Sequence, residues 1–131
     1  MSKYLVESEF NGIPWQIINK TGKYKFIADE ERYETKDAGP NPVQYLIGAL
    51  NSCLTISASM IIKAKNLDVK NFHLKTEAET EKYRVSKINV KVFFDSEMNQ
   101  AQKQDFLNHI LHVSVVYQTL SHGMKIGVEL A

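Results

Sequence analysis

Residues 3–10 alternate, with Tyr4, Val6, Ser8 and Phe10 on one side of an extended backbone and Leu5, Glu7 and Glu9 on the other. That is the two-residue period of a strand. Asn11-Gly12 marks a turn. Trp15, Ile17 and Ile18 predict a second strand, Lys20-Thr21-Gly22 a tight connection, and Tyr24, Phe26 and Ala28 a third, together an antiparallel meander. The run from Asp29 to Gly39 is almost entirely charged or small, the composition of an exposed loop.

Pro42 suits the first turn of a helix, where its missing N–H has no partner to lose, and Asn41 before it is a favoured N-cap. From Val43 to about Lys65 no proline intervenes. Leu46, Leu50, Cys53 and Leu54 form one apolar stripe, which Ile47, Ala58, Ile61 and Ile62 widen. A helix apolar over most of its circumference needs cover on several sides. In a chain of this size that predicts a partner subunit. Residues 69–80 and 84–95 both alternate and read as two long strands of a hairpin. Ser96 to Asn99 can cap a second helix carrying Phe106, Leu107, Ile110, Leu111 and Val113. A break near Ser114, a short helical turn to Leu120, Gly123 and a last strand from Met124 to Leu130 complete the order β-β-β-α-β-β-α-α-β. This is an α+β class.

A chain of 131 residues fits a single domain spanning residues 1–131. Its 44% hydrophobic and 24% charged residues are ordinary for a folded protein. A formal net charge of +1 provides no field to capture nucleic acid or an anionic membrane surface. One cysteine excludes an internal disulfide, and the alternating N-terminus lacks the apolar core of a signal peptide, so the expectation is a reduced, cytoplasmic protein. Residues 43–62 are interrupted by Gln44, Asn51, Ser52, Thr55, Ser57 and Ser59, and the expectation is no transmembrane span. His109 and His112 stand three apart on a helix without a third ligand in view, so neither a metal nor a cofactor is assigned.

The run Gly39-Pro-Asn-Pro-Val-Gln-Tyr-Leu-Ile-Gly-Ala-Leu-Asn-Ser-Cys53 resembles the signature of the OsmC and organic hydroperoxide resistance proteins: a Gly-x-Asn-Pro-Glu-Gln-Leu start, a small and apolar helix, then the peroxide-reacting cysteine. Val116-x-x-Thr-Leu120 resembles that family's second-cysteine motif. The resemblance implies an OsmC-like fold of antiparallel sheets around a long central helix, assembled as an intertwined homodimer. It also implies Cys53 as the nucleophile, with Arg32 of Arg32-Tyr33-Glu34 as the cation that favours its thiolate. Pro42, Tyr45, Leu46, Leu50 and Tyr117 become candidates for a pocket or dimer interface.

Two positions depart from the pattern. Val43 stands where the family has the glutamate that orients its arginine, leaving Glu34 or Glu31 to substitute. Ser114 stands where the family has its resolving cysteine. The implied activity is therefore a one-cysteine, thiol-dependent reduction of small hydrophobic hydroperoxides in oxidative stress defence, with an external thiol as reductant. The alternative is a non-catalytic member of the same fold that binds a small hydrophobic ligand or senses redox state.

Overall fold

A computed structural model describes residues 1–30 and 38–131. The chain divides into two compact units, Met1–Leu46 and Ile47–Ala131. The long helix α1 (Pro42–Lys65) starts in the first and continues in the second.

The N-terminal unit holds an antiparallel sheet in the order β1 (Glu7–Phe10), β2 (Gln16–Thr21), β3 (Tyr24–Asp29). Phe10 pairs with Ile17 and Thr21 with Tyr24, the latter across a turn in which Gly22 takes φ 55°. The first strand is shorter than the alternation predicts, since pairing begins only at Glu7. Trp15 is not in a strand; its φ of 68° places it in the turn before β2. The alternation carries no sign of the buried polar group beneath this sheet. Gln16 and Asp29 are 2% and 1% exposed, and the Gln16 amide donates to the Asp29 carboxylate at 2.9 Å. Asn11 Nδ2 donates in turn to Gln16 Oε1.

The same carboxylate accepts the Ala38 N–H at 3.0 Å, and the Asp29 N–H donates to the Pro40 carbonyl, so the chain re-enters the unit pinned to the end of β3. Gly39 sits so close to the Ile27 carbonyl that a Cβ there would collide with backbone. The helix then begins as the sequence predicts: Asn41 Oδ1 accepts the Gln44 N–H and Gln44 Oε1 accepts the Asn41 N–H, each at 2.9 Å, a reciprocal cap. Tyr45 fixes the first turn, its hydroxyl donating to the Ile27 carbonyl at 2.6 Å and its ring lying 5.2 Å from that of Phe26.

α1 ends where Asn66 adopts φ 52°, a left-handed position that asparagine tolerates, and the Leu67 N–H caps the Ile62 carbonyl. In the C-terminal unit β4 (Lys70–Glu81) and β5 (Arg84–Asp95) form an antiparallel hairpin within one or two residues of its predicted bounds. Its outer face is polar, with Lys75 directly opposite Lys91. Its inner face presents Phe72, Leu74, Ile88, Val90 and Phe94 to a core of Leu50, Leu54, Ala58 and Ile61 from α1 and Phe106 and Ile110 from α2 (Gln100–Val113). α1 is long and apolar enough to cross a membrane by length and composition alone, with mean hydropathy 1.6 over its best window. Its buried stripe packs on protein, and 28% of that window is buried.

α2 opens on a capping box in which Asn99 and Gln102 exchange side-chain-to-backbone hydrogen bonds at 2.9 Å. Replacing Asn99 with alanine is expected to cost about 1 kcal/mol, measurable as a lower urea midpoint with an unchanged slope. Ser114 ends α2 and starts α3 (Val115–His122): its N–H donates to the Ile110 carbonyl and its own carbonyl accepts the Gln118 N–H.

The predicted last strand requires correction. Residues 124–130 form no strand and pair with no sheet edge among the described residues. Met124, Ile126, Val128 and Leu130 stand 67%, 77%, 91% and 100% exposed. The observed class is α+β, with antiparallel sheets and one long helix.

Candidate functional site

Cys53 lies in the middle of α1, half-buried and free of any disulfide. Helical periodicity sets it between the core stripe and the exposed side: Leu50 and Leu54 are buried, whereas Ser52 and Ile56 are exposed. Two polar ties hold this stretch in the C-terminal unit. Thr76 of β4 donates to Asn51 Oδ1 at 2.7 Å, fixing the helix to the hairpin. Ser114 donates its hydroxyl to Cys53 Sγ at 3.1 Å across 61 positions of sequence.

Ser114 is fully buried, and its backbone is held by the helices it joins, so its hydroxyl has little freedom to leave the sulfur. The structure thus brings two of the sequence candidates together in one contact.

The other candidates lie elsewhere. Arg32, Glu31 and Glu34 fall outside the described residues. Pro42, Tyr45 and Leu46 belong to the N-terminal unit, where Pro42 is the exposed first residue of α1, Tyr45 braces β3, and Leu46 is 37% exposed. Val43, half-buried in that first helical turn, has no group with which to orient a guanidinium. In the C-terminal unit Leu50 is a core residue and Tyr117 packs half-buried against the same core. Among the described residues no three His, Cys, Asp or Glu side chains cluster to hold a metal. The pattern of apolar positions did not reveal the Thr76–Asn51 tie, because a half-buried threonine on a strand looks the same whether or not its hydroxyl is used.

A helix-borne thiol met by a buried hydroxyl, in an α+β chain with a meander before the helix and a hairpin after it, defines the class to compare. The OsmC-like protein family model matches residues 35–129. The chain belongs to the OsmC-like protein family. Among solved structures it is similar to an OsmC-like protein from Mycoplasma pneumoniae, at 15% identity and TM-score 0.80 over 92% of this chain and 88% of that one. A hypothetical protein from Aquifex aeolicus follows at 19% identity and TM-score 0.75, covering 93% and 89%. An organic hydroperoxide resistance protein from Legionella pneumophila matches at 12% identity and TM-score 0.65, covering 92% and 90%. At these identities the likeness shows the fold. A comparison with curated protein sequences finds no match.

Proposed function

We propose that the chain is a one-cysteine, thiol-dependent reductase of organic hydroperoxides, working as a homodimer in the cytoplasm. The observation that carries this reading is the Ser114 hydroxyl on Cys53 Sγ, a donor placed where a second thiol would otherwise complete the chemistry. The Cys53 thiolate attacks the distal oxygen of ROOH and the O–O bond breaks. The alkoxide leaves as ROH after taking a proton, and Cys53 becomes a sulfenic acid. With serine at position 114, no internal disulfide can follow. An external thiol then attacks the sulfenic sulfur and expels water. A second thiol attacks the mixed disulfide, which restores Cys53 and releases the oxidised reductant. Arg32 supplies the cation that favours the thiolate in this reading. The apolar surroundings of Cys53 on α1 favour an organic peroxide over hydrogen peroxide. A second copy covers the apolar surface of α1, where Ile56 and Met60 are 61% and 67% exposed.

Reduced protein mixed with cumene hydroperoxide is expected to gain one oxygen at Cys53 and to turn over only when a thiol is added, faster than with hydrogen peroxide. Cys53→Ser abolishes the reaction, and Arg32→Ala slows it at least tenfold. If Cys53 stays unmodified in excess peroxide and peroxide is not consumed, the reductase reading is wrong. The chain is then a non-catalytic binder of a small hydrophobic ligand, a reading that the uncharged Val43 in the first turn of α1 favours.

A further inference from the structure

The chain holds four histidines, at positions 73, 109, 112 and 122, and sequence spacing alone makes neighbours of His109 and His112. The structure separates that pair and forms another. His109 lines a cleft with Lys65, Met98 and Asp105. His112 opens instead onto a different cleft of about 470 Å³ in the C-terminal unit, and the second histidine lining it is His122. Asn108, Tyr117 and Ser121 add polar atoms to the same lining.

The junction of α2 and α3 explains why two residues ten positions apart meet. His112 stands in the last turn of α2 and His122 in the last turn of α3. Gln118 ties the two helix ends together. Its Nε2 donates to the carbonyl of Leu111, the residue before His112, at 2.8 Å, and its own carbonyl accepts from His122 Nδ1 at 2.9 Å. A carbonyl oxygen only accepts, so Nδ1 carries the proton and the neutral ring keeps its lone pair on Nε2. A metal-binding imidazole is held in the same way, with its other nitrogen donating to a backbone carbonyl or a carboxylate that fixes tautomer and ring orientation. Both histidines are exposed, so a hydrated ion can reach them.

We propose that His112 and His122 bind one divalent ion of the nickel, copper and zinc group, and that the ion clamps the end of α2 to the end of α3. Imidazole nitrogen suits these ions, whereas Mg²⁺ and Ca²⁺ take oxygen ligands. Two protein ligands leave the remaining positions to water, so the site is open and binds more weakly than a closed structural one. The clamp spans Ser114, whose N–H and carbonyl already bond one helix each. An ion that binds the folded arrangement stabilises it. The site stands apart from the peroxide chemistry of Cys53.

Untagged Cys53→Ser protein, which lacks the thiol as a competing ligand, is titrated with Zn²⁺ in a calorimeter. One ion per chain is expected. Loss of a ligand costs no less than loss of a group that orients one, so His112→Ala and His122→Ala are each expected to weaken binding roughly tenfold or more. His73→Ala and His109→Ala leave it unchanged, and excess Mg²⁺ does not compete. His112→Gln and His122→Gln, closer in size to the parent residue, give the same loss and so separate it from damage to the helix ends. Zn²⁺ raises the urea midpoint of the Cys53→Ser protein and of neither clamp variant. No saturable binding of Zn²⁺, Ni²⁺ or Cu²⁺, an equal loss in His109→Ala, or one ion for every two chains overturns the proposal. Binding that leaves the midpoint where it was overturns the clamp.

Discussion

Ser114→Cys is expected to convert the chain into a disulfide-forming protein. Ser114 Oγ stands 3.1 Å from Cys53 Sγ, and a sulfur on the same Cβ needs to close only about 1 Å more to reach bonding distance. Peroxide would first oxidise Cys53 to the sulfenic acid. The new thiol would attack that sulfur and expel water. Mass spectrometry should then show a monomeric species lighter by two hydrogens, in place of the oxygen adduct of the parent. Closing a loop across 61 positions is expected to stabilise the oxidised form by about 4 kcal/mol in the chain-entropy account, seen as a higher urea midpoint that dithiothreitol abolishes. A new thiol that stays reduced, or that bonds only between chains, would show that the two side chains do not face each other as described.

Phe106→Ala is expected to be the most damaging single change in the C-terminal unit. The ring is 4% exposed and meets Phe94 edge-on at 5.5 Å and Phe72 at 6.1 Å. Removing it forfeits the transfer energy of the ring, opens a cavity between α2 and the hairpin, and takes both aromatic contacts with it, about 3–5 kcal/mol in all. Domains are stable by only about 5–15 kcal/mol, so much of the margin disappears. Phe93 provides the control. It lies on the outer face of the hairpin, 38% exposed, and Phe93→Ala is expected to cost no more than about 1 kcal/mol. Equal losses at the two positions in urea melts would contradict the assignment of inner and outer faces.

The difference between those two neighbours was legible in the sequence, because strand alternation separates Phe93 from Phe94 before any coordinates exist. The start of α1 was equally legible, since Asn41 and Pro42 state the cap in chemical terms that depend on nothing distant, whereas the bond that Gln44 returns to Asn41 was not read. The hairpin emerged for the same local reason. The tail did not. Met124 to Leu130 carries the same alternation as β4 and β5 but lacks a neighbour, and periodicity reports which side of a strand is apolar without reporting what lies beside it.

At the site, Cys53 and Ser114 came from the resemblance and not from periodicity, because a contact across 61 positions leaves no mark on either local pattern. Gln16 and Asp29 escaped both routes. A glutamine at the head of a strand and an aspartate at the foot of the next read as ordinary surface residues until the antiparallel register sets them side by side.

The hydroxyl on Cys53 also makes the sulfur lopsided. At 3.1 Å the side facing Ser114 has no room for another atom, so in the proposed reaction the peroxide oxygen arrives from another side of the sulfur. In the proposed reaction Ser114 thus sets the side from which Cys53 is approached, a directional role that its hydrogen bond alone does not convey.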